Sequence, residues 1–269
     1  MNDEPYDQII SLGYRCSSAG ILKSLGLKTE SYPFDWMVSR LPIIENCIQT
    51  GFKYAFHPEH YTSITGVTNH YTSMDPSSQQ WICNESFCFN TDYEESEISN
   101  IQYYLPRPIH PSRDAYGYKF MMNHRNITTN PYDRDYYSRC VERFNAPYKK
   151  RLALYIHPAI FYEEFIPSKP EYIGELRRAH KSISTAHPHD GIYIIPVKTP
   201  FEYPTQHCCK YVLEEHPDDE MHPKCRICIL WTNRDFIDAG EIFMGNCGAE
   251  TYVIKEYVQH IVNRRGIAV

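Results

Sequence analysis

Cys16 stands three residues after Gly13, where the apolar-centred run Gln8-Ile9-Ile10-Ser11-Leu12 gives way to Ala19, Ile21, Leu22, Leu25 and Leu27 at helical spacing. A thiol at a helix start meets free backbone N–H groups and the positive end of the helix dipole, which favour its thiolate and can hold an oxyanion. Such a nucleophile needs a base, and a third group to fix the base's ring. The chain has 13 histidines, so presence alone selects none. Two of them end predicted strands: His124 closes the run Tyr118-Lys119-Phe120-Met121-Met122, and His157 follows Leu152-Ala153-Leu154-Tyr155-Ile156. Strand ends of an α/β sheet line its crevice, so either could serve, with His124 the better placed and His157 its rival. Asp35, in the loop Pro33-Phe34-Asp35-Trp36, and Asn126, two residues beyond His124, are the candidates for the third group.

Other chemistries have weaker patterns. His207-Cys208-Cys209, His216, His222 and Cys225-x-x-Cys228 crowd together, and such donors can form a tetrahedral zinc site. The spacing is not that of a finger or ribbon. Cys228 falls inside Ile227-Cys228-Ile229-Leu230-Trp231, where a buried strand needs it for packing, and residues 214–220 read as an acidic loop. No resident metal is expected. Arg139 and Arg143 are four apart on a predicted helix, so they share a face that could hold a phosphate or carboxylate; a solvated, salt-bridged face is the plainer reading. Gly13 lacks the further glycines of a dinucleotide fingerprint, and no phosphate loop ending in Gly-Lys-Ser or Gly-Lys-Thr occurs, so no cofactor is implied.

The elements that must position these groups alternate. A strand over 8–12 leads to a helix with Ser17 and Ser18 at its start and Gly26 at its end, and 41–49 reads as a short amphipathic helix with Pro42 in its first turn. From about 51 to 113 the chain is rich in Tyr, Thr, Ser, His and Pro; it reads as an irregular insertion or a small β subdomain, with a hairpin around 81–89. A helix over 133–144, a strand over 152–156, a helix over 172–183, strands over 192–195 and 227–231, and a helix over 250–264 follow. Strands alternating with helices predict a single α/β domain: a three-layer, mainly parallel sheet with helices on both faces.

Composition bounds the function classes. The 269 residues include 27 Lys and Arg against 33 Asp and Glu, a net charge of −6 that gives no basic excess for nucleic acid. No apolar run approaches the ~18–20 residues a membrane-spanning helix needs. Ten cysteines would suggest disulfides in a small secreted chain, but Met-Asn-Asp-Glu-Pro-Tyr-Asp is acidic and polar where a signal peptide is basic and then apolar. A reducing, cytoplasmic setting with mostly free thiols is expected.

The residues from Ile10 to Cys16, Ser11-Leu12-Gly13-x-x-Cys16 at their core, followed by Ser31-Tyr32-Pro33-Phe34-Asp35-Trp36-Met37, resemble a bacterial and large-virus domain-of-unknown-function family of papain-like cysteine peptidases. The pairing of an S-L-G-x-x-C opening with a P-F-D-W loop is far more specific than either half. Met122-Asn123-His124-Arg125 and the helix from Arg134 to Phe144 resemble later family pieces, an aromatic-His-Asp element and an Arg-rich helix, although Arg125 stands where the family has an acidic residue. The resemblance implies Cys16 as nucleophile and His124 as base, acting on a peptide. It also implies an α+β papain-like fold, against the strand–helix alternation of the C-terminal half, and the alternation decides the expected fold. The expected activity is a thiol-dependent hydrolase with Cys16, His124 and Asp35. The alternative is a Rossmann-like module binding a sugar or nucleotide-sugar, with Gly13 admitting the ligand to the backbone and Arg139 and Arg143 holding its anionic part.

Overall fold

The computed structural model describes residues 5–13, 16–39, 41–53, 55–63, 82–84, 120–122, 125, 127–157, 160–198, 212–218, 223–232 and 249–263. Its main sheet contains β1 (Gln8–Gly13), β6 (Arg151–Ile156), β8 (Asp190–Lys198), β10 (Cys225–Thr232) and β9 (Val212–Asp218), adjacent in that order. The first four are mutually parallel and β9 runs antiparallel at the edge, while the short β7 (Ile160–Phe161) also pairs with β8 in parallel. Continuous apolar runs such as Leu152-Ala153-Leu154-Tyr155-Ile156 are buried on both faces, as a helix-covered parallel sheet requires.

Alternate residues feed two separate cores. Ile10, Leu12, Ala153, Tyr155, Tyr193, Ile195, Ile227 and Ile229 pack with α2 (Leu41–Gln49), α3 (Pro131–Asn145) and α4 (Tyr162–Ala186). Ile9, Leu152, Leu154, Ile192, Ile194, Cys228 and Leu230 pack on the other face with α1 (Cys16–Ser24) and α5 (Ala249–Asn263). The α/β three-layer arrangement is therefore observed, and the antiparallel barrel of a papain-like fold is not what this sheet forms. α5 presents Ile254, Val258, Ile261 and Val262 to the sheet, on the order of 6–12 kcal/mol of gross apolar burial. That exceeds the few tenths of a kcal/mol per residue that helix propensity contributes, so packing sets this helix.

Local signals fix the ends. α1 stops where Gly26 adopts φ +68°: Gly26 N–H donates to the Lys23 carbonyl (3.1 Å) and Leu27 N–H to that of Leu22 (3.0 Å), a Schellman closure. α3 starts on Asn130, whose side chain accepts from Tyr132 N–H (3.0 Å), with Pro131 following in the first turn.

Three features depart from the sequence reading. The acidic stretch expected as a loop is β9, whose Glu214 and Glu215 engage Lys169 and Arg226. α4 begins ten residues before the predicted start and contains Pro167 and Pro170. Of the hairpin expected within 81–89 only β4 (Ile82–Asn84) is among the described residues, and it lies between β3 (Tyr61–Ser63) and β5 (Phe120–Met122) in a second, antiparallel sheet ordered β2-β5-β4-β3, with β2 at Met37–Val38. This sheet draws strands from both sides of the 51–113 stretch. Among the described residues, no helix is long and apolar enough to cross a membrane.

Candidate active site

β1 ends at Gly13 with φ +99°, a conformation glycine adopts freely. A Cβ there would overlap Ser39 Oγ and lie 3.3 Å from the Ser39 carbonyl. Its N–H donates to Ser11 Oγ (3.2 Å), and its carbonyl accepts from Ser18 Oγ in the first turn of α1. The space beside Gly13 is filled by the protein's own Ser39, and its polar groups are used internally, so Gly13 does not open the backbone to a ligand as the sequence reading expected. It lets β2 close onto β1 and sets where α1 begins. Gly13→Ala should cost about 2–4 kcal/mol, from left-handed strain plus overpacking against Ser39, read from the midpoint of urea unfolding.

Cys16 is the first residue of α1, and no acidic residue occupies the first turn to offset the helix dipole. The first N–H groups of a helix have no intrahelical acceptor, so this start can offer donors to an anion. The strand beside β1 is β6, and Gly13 registers with Tyr155. Because these strands are parallel and about 4.8 Å apart, both leave the sheet on the same edge. His157, two residues beyond Tyr155, therefore emerges on the edge where Cys16 begins its helix. It is 4% exposed; its N–H donates to the Ile194 carbonyl (2.7 Å), and its ring meets those of Tyr155 (6.2 Å between centroids) and Tyr172 of α4 (5.9 Å), both edge to face. The imidazole is held by packing at a strand end.

Asp35 lies elsewhere. Its Oδ2 accepts from Tyr32 N–H (2.6 Å) and pairs with Lys28 Nζ (2.5 Å), a residue just past the far end of α1 from Cys16. Arg143 Nε donates to the Ser31 carbonyl (3.0 Å), and the Arg143 carbonyl accepts from Gln8 Nε2 (3.2 Å), tying the Pro-Phe-Asp-Trp loop to the beginning of β1. A six-residue strand separates Gln8 from Gly13, about 16 Å. The nine residues of α1 span about 13 Å, so two independent yardsticks put Asp35 at the opposite edge of the sheet from Cys16. The structure does not bring Asp35 to Cys16. It makes Asp35 the centre of a buried clamp, with burial pushing its carboxyl up to about 6 against the pull of Lys28, Tyr32 N–H and Arg143.

Removing that carboxylate leaves Lys28, whose side chain is 5% exposed, without its partner. Asp35→Ala should cost about 3–5 kcal/mol at neutral pH, measured by denaturant unfolding. The sign with pH follows from the raised value: proton uptake by folded Asp35 favours the fold below the unfolded value of ~3.9, and that gain is lost as pH rises through about 6. Asp35→Asn should remove this component of the pH profile.

His124 and Asn126 lie outside the described residues. The residues that flank them are informative: Met122 pairs with Met37, and Arg125 stacks on Tyr136 (3.5 Å) and pairs with Asp133 (2.8 Å). Arg143 is half-buried against Ser31 and Cys140, and Arg139, one turn earlier, is exposed. The two arginines thus belong to the edge of the sheet away from Gly13, and the structure does not unite the ligand-binding set expected for a sugar module. Cys225 and Cys228 are both buried and point into opposite cores, one on each face of β10, so they cannot chelate one ion together. Their neighbours 207–209 and 222 fall outside the described residues. Burial pushes the Cys228 thiol up to about 12 and raises those of Cys47 and Cys140, which makes them inert packing thiols. Ser39 and Lys28 escaped the sequence reading, because each acts through a partner that spacing does not reveal, Gly13 for the one and Asp35 for the other; Ser18, expected at the helix start, is there and ties back to the Gly13 carbonyl.

Residues 7–151, more than half of the chain, match a domain-of-unknown-function family described as "putative papain-like cysteine peptidase". No curated protein and no solved structure matches the chain.

Proposed function

The chain belongs to that papain-like cysteine peptidase family, and from this premise we propose a thiol-dependent hydrolase in which Cys16 is the nucleophile and His157 its base. The observation that carries the pairing is the parallel register of Gly13 with Tyr155, which supports a common edge for the start of α1 and the end of β6. His124, the base implied by the resemblance, has flanking residues tied to Met37 and Tyr136, and Tyr136 interacts with Ser31 of the Asp35 loop at the other edge. This favours His157.

In the proposed reaction, His157 takes the thiol proton and the Cys16 thiolate adds to a carbonyl carbon. N–H groups of the first turn of α1 stabilise the oxyanion. Collapse breaks the bond to the leaving group, which receives the proton from the imidazolium. Water, deprotonated by His157, then cleaves the thioester and regenerates Cys16. The rings of Tyr155 and Tyr172 help to orient the imidazole by edge-to-face packing. Incubation with a panel of activated esters and peptide thioesters, followed by mass spectrometry, should find an acyl adduct on Cys16; acylation at the other thiols alone would defeat the reading.

A further inference from the structure

At the edge of the sheet opposite Cys16, Gln8 registers with Arg151 across β1 and β6, and Leu152 with Asp190, the first residue of β8; His189, one residue before β8, thus comes beside Arg151, whose charge acts on its ring. Residues in register point to the same face. Arg151 is 1% exposed, yet among the described residues no carboxylate forms a salt bridge with its guanidinium, Asp7 acting on it only from a distance. Its Nε donates to Gln8 Oε1 and its Nη2 to the Phe144 carbonyl, while the rings of Tyr148 (3.7 Å) and Phe144 (4.6 Å) lie against the guanidinium. Nη1 is buried with no partner.

His189 is 3% exposed. Its Nδ1 lies 2.7 Å from the His187 carbonyl, and because a carbonyl only accepts, Nδ1 carries the proton. Burial, with His180 beside it, holds this imidazole down at about 3, so the ring is neutral and Nε2 is a bare acceptor. Nε2 too is buried and unpartnered. The His180 ring meets it edge to face, at 4.9 Å between centroids, and is itself held by Tyr193 and the Pro223 carbonyl.

This edge therefore presents an unmatched buried positive charge with a free donor and, next to it, a free acceptor. We propose that Arg151 and His189 form a binding site for a small inorganic oxyanion that carries its own proton, such as hydrogen phosphate or bicarbonate. The anion's oxygens accept from Arg151 Nη1 and neutralise its charge, and its hydroxyl donates to His189 Nε2. An anion without a proton would set an oxygen lone pair against that of Nε2 and leave a buried hydrogen bond unmade, a cost of about tenfold or more in affinity.

Titration calorimetry on the full chain at pH 7 and fixed ionic strength tests this with inorganic phosphate, bicarbonate, sulfate and phenyl phosphate. Phosphate and bicarbonate should bind, and sulfate and phenyl phosphate, which carry no acidic proton or mostly none at this pH, at least about tenfold more weakly. Arg151→Met should abolish binding, and His189→Asn should erase the preference for phosphate over sulfate; if the Arg151 variant fails to fold, the second variant decides. Absence of phosphate binding, equal binding of sulfate, a preference for phenyl phosphate, or a phosphate preference that survives His189→Asn would overturn the proposal.

Discussion

Cys16→Ala is expected to lower turnover of any ester or amide substrate by on the order of 10⁴- to 10⁶-fold, the loss typical when a covalent nucleophile is deleted. The expectation rests on position. Gly13 ends β1 in a conformation that turns the chain, Ser18 Oγ ties the first turn of α1 back to the Gly13 carbonyl, and the helix begins at Cys16 with no acid nearby in its first turn. A thiol at that point gains from the helix dipole what the buried Cys47 and Cys228 thiols lose by desolvation. Unfolding midpoints and turnover should therefore separate: activity disappears in Cys16→Ala while stability changes by less than in Gly13→Ala, because the tie from Ser18 to Gly13 is untouched.

His157→Gln is the second large effect. Glutamine roughly keeps the volume between Tyr155 and Tyr172, and the N–H bond to the Ile194 carbonyl is a backbone contact, so the fold should survive. The variant has no titrating nitrogen, and general-base assistance worth about 10²- to 10⁴-fold should be lost. The thiolate also loses its imidazolium partner, so the apparent pKa of Cys16 should rise toward the unperturbed ~8.5. kcat/KM measured against pH would show both changes, with a lowered plateau and an acid limb moved to higher pH.

The parts of this account that the sequence made legible are those written in local patterns. β1, β6, β8 and β10 are apolar runs because both of their faces are buried, and α2 was readable to its ends from Pro42 and the spacing of Ile43, Ile44, Cys47 and Ile48. β9 was not, since its Glu214, Glu215 and His216 look like a solvated loop; they belong to an edge strand whose polar side chains pair with Lys169, Arg226 and Tyr257. Pro167 and Pro170 hid the first turns of α4 because proline normally ends a helix, whereas here both lie inside one, as its sixth and ninth residues. At the site, the place of Cys16 between strand and helix was readable. Which edge of the sheet receives Asp35 was not: that depends on Lys28 and on Arg143 gripping Ser31, contacts that fold the Pro-Phe-Asp-Trp loop back toward Gln8. Gly13 was singled out correctly as special, but its partner is Ser39, and nothing in the spacing of the two residues announces it.

The second-order rate of Cys16 alkylation by iodoacetamide as a function of pH, compared in the native protein, His157→Gln and His124→Gln, decides whether the helix start and His157 activate this thiol. Activation by a helix start and His157 predicts an apparent pKa well below ~8.5 in the native protein, a rise toward that value in His157→Gln, and little change in His124→Gln. A native value at or above 8.5, or a rise in His124→Gln alone, would contradict it.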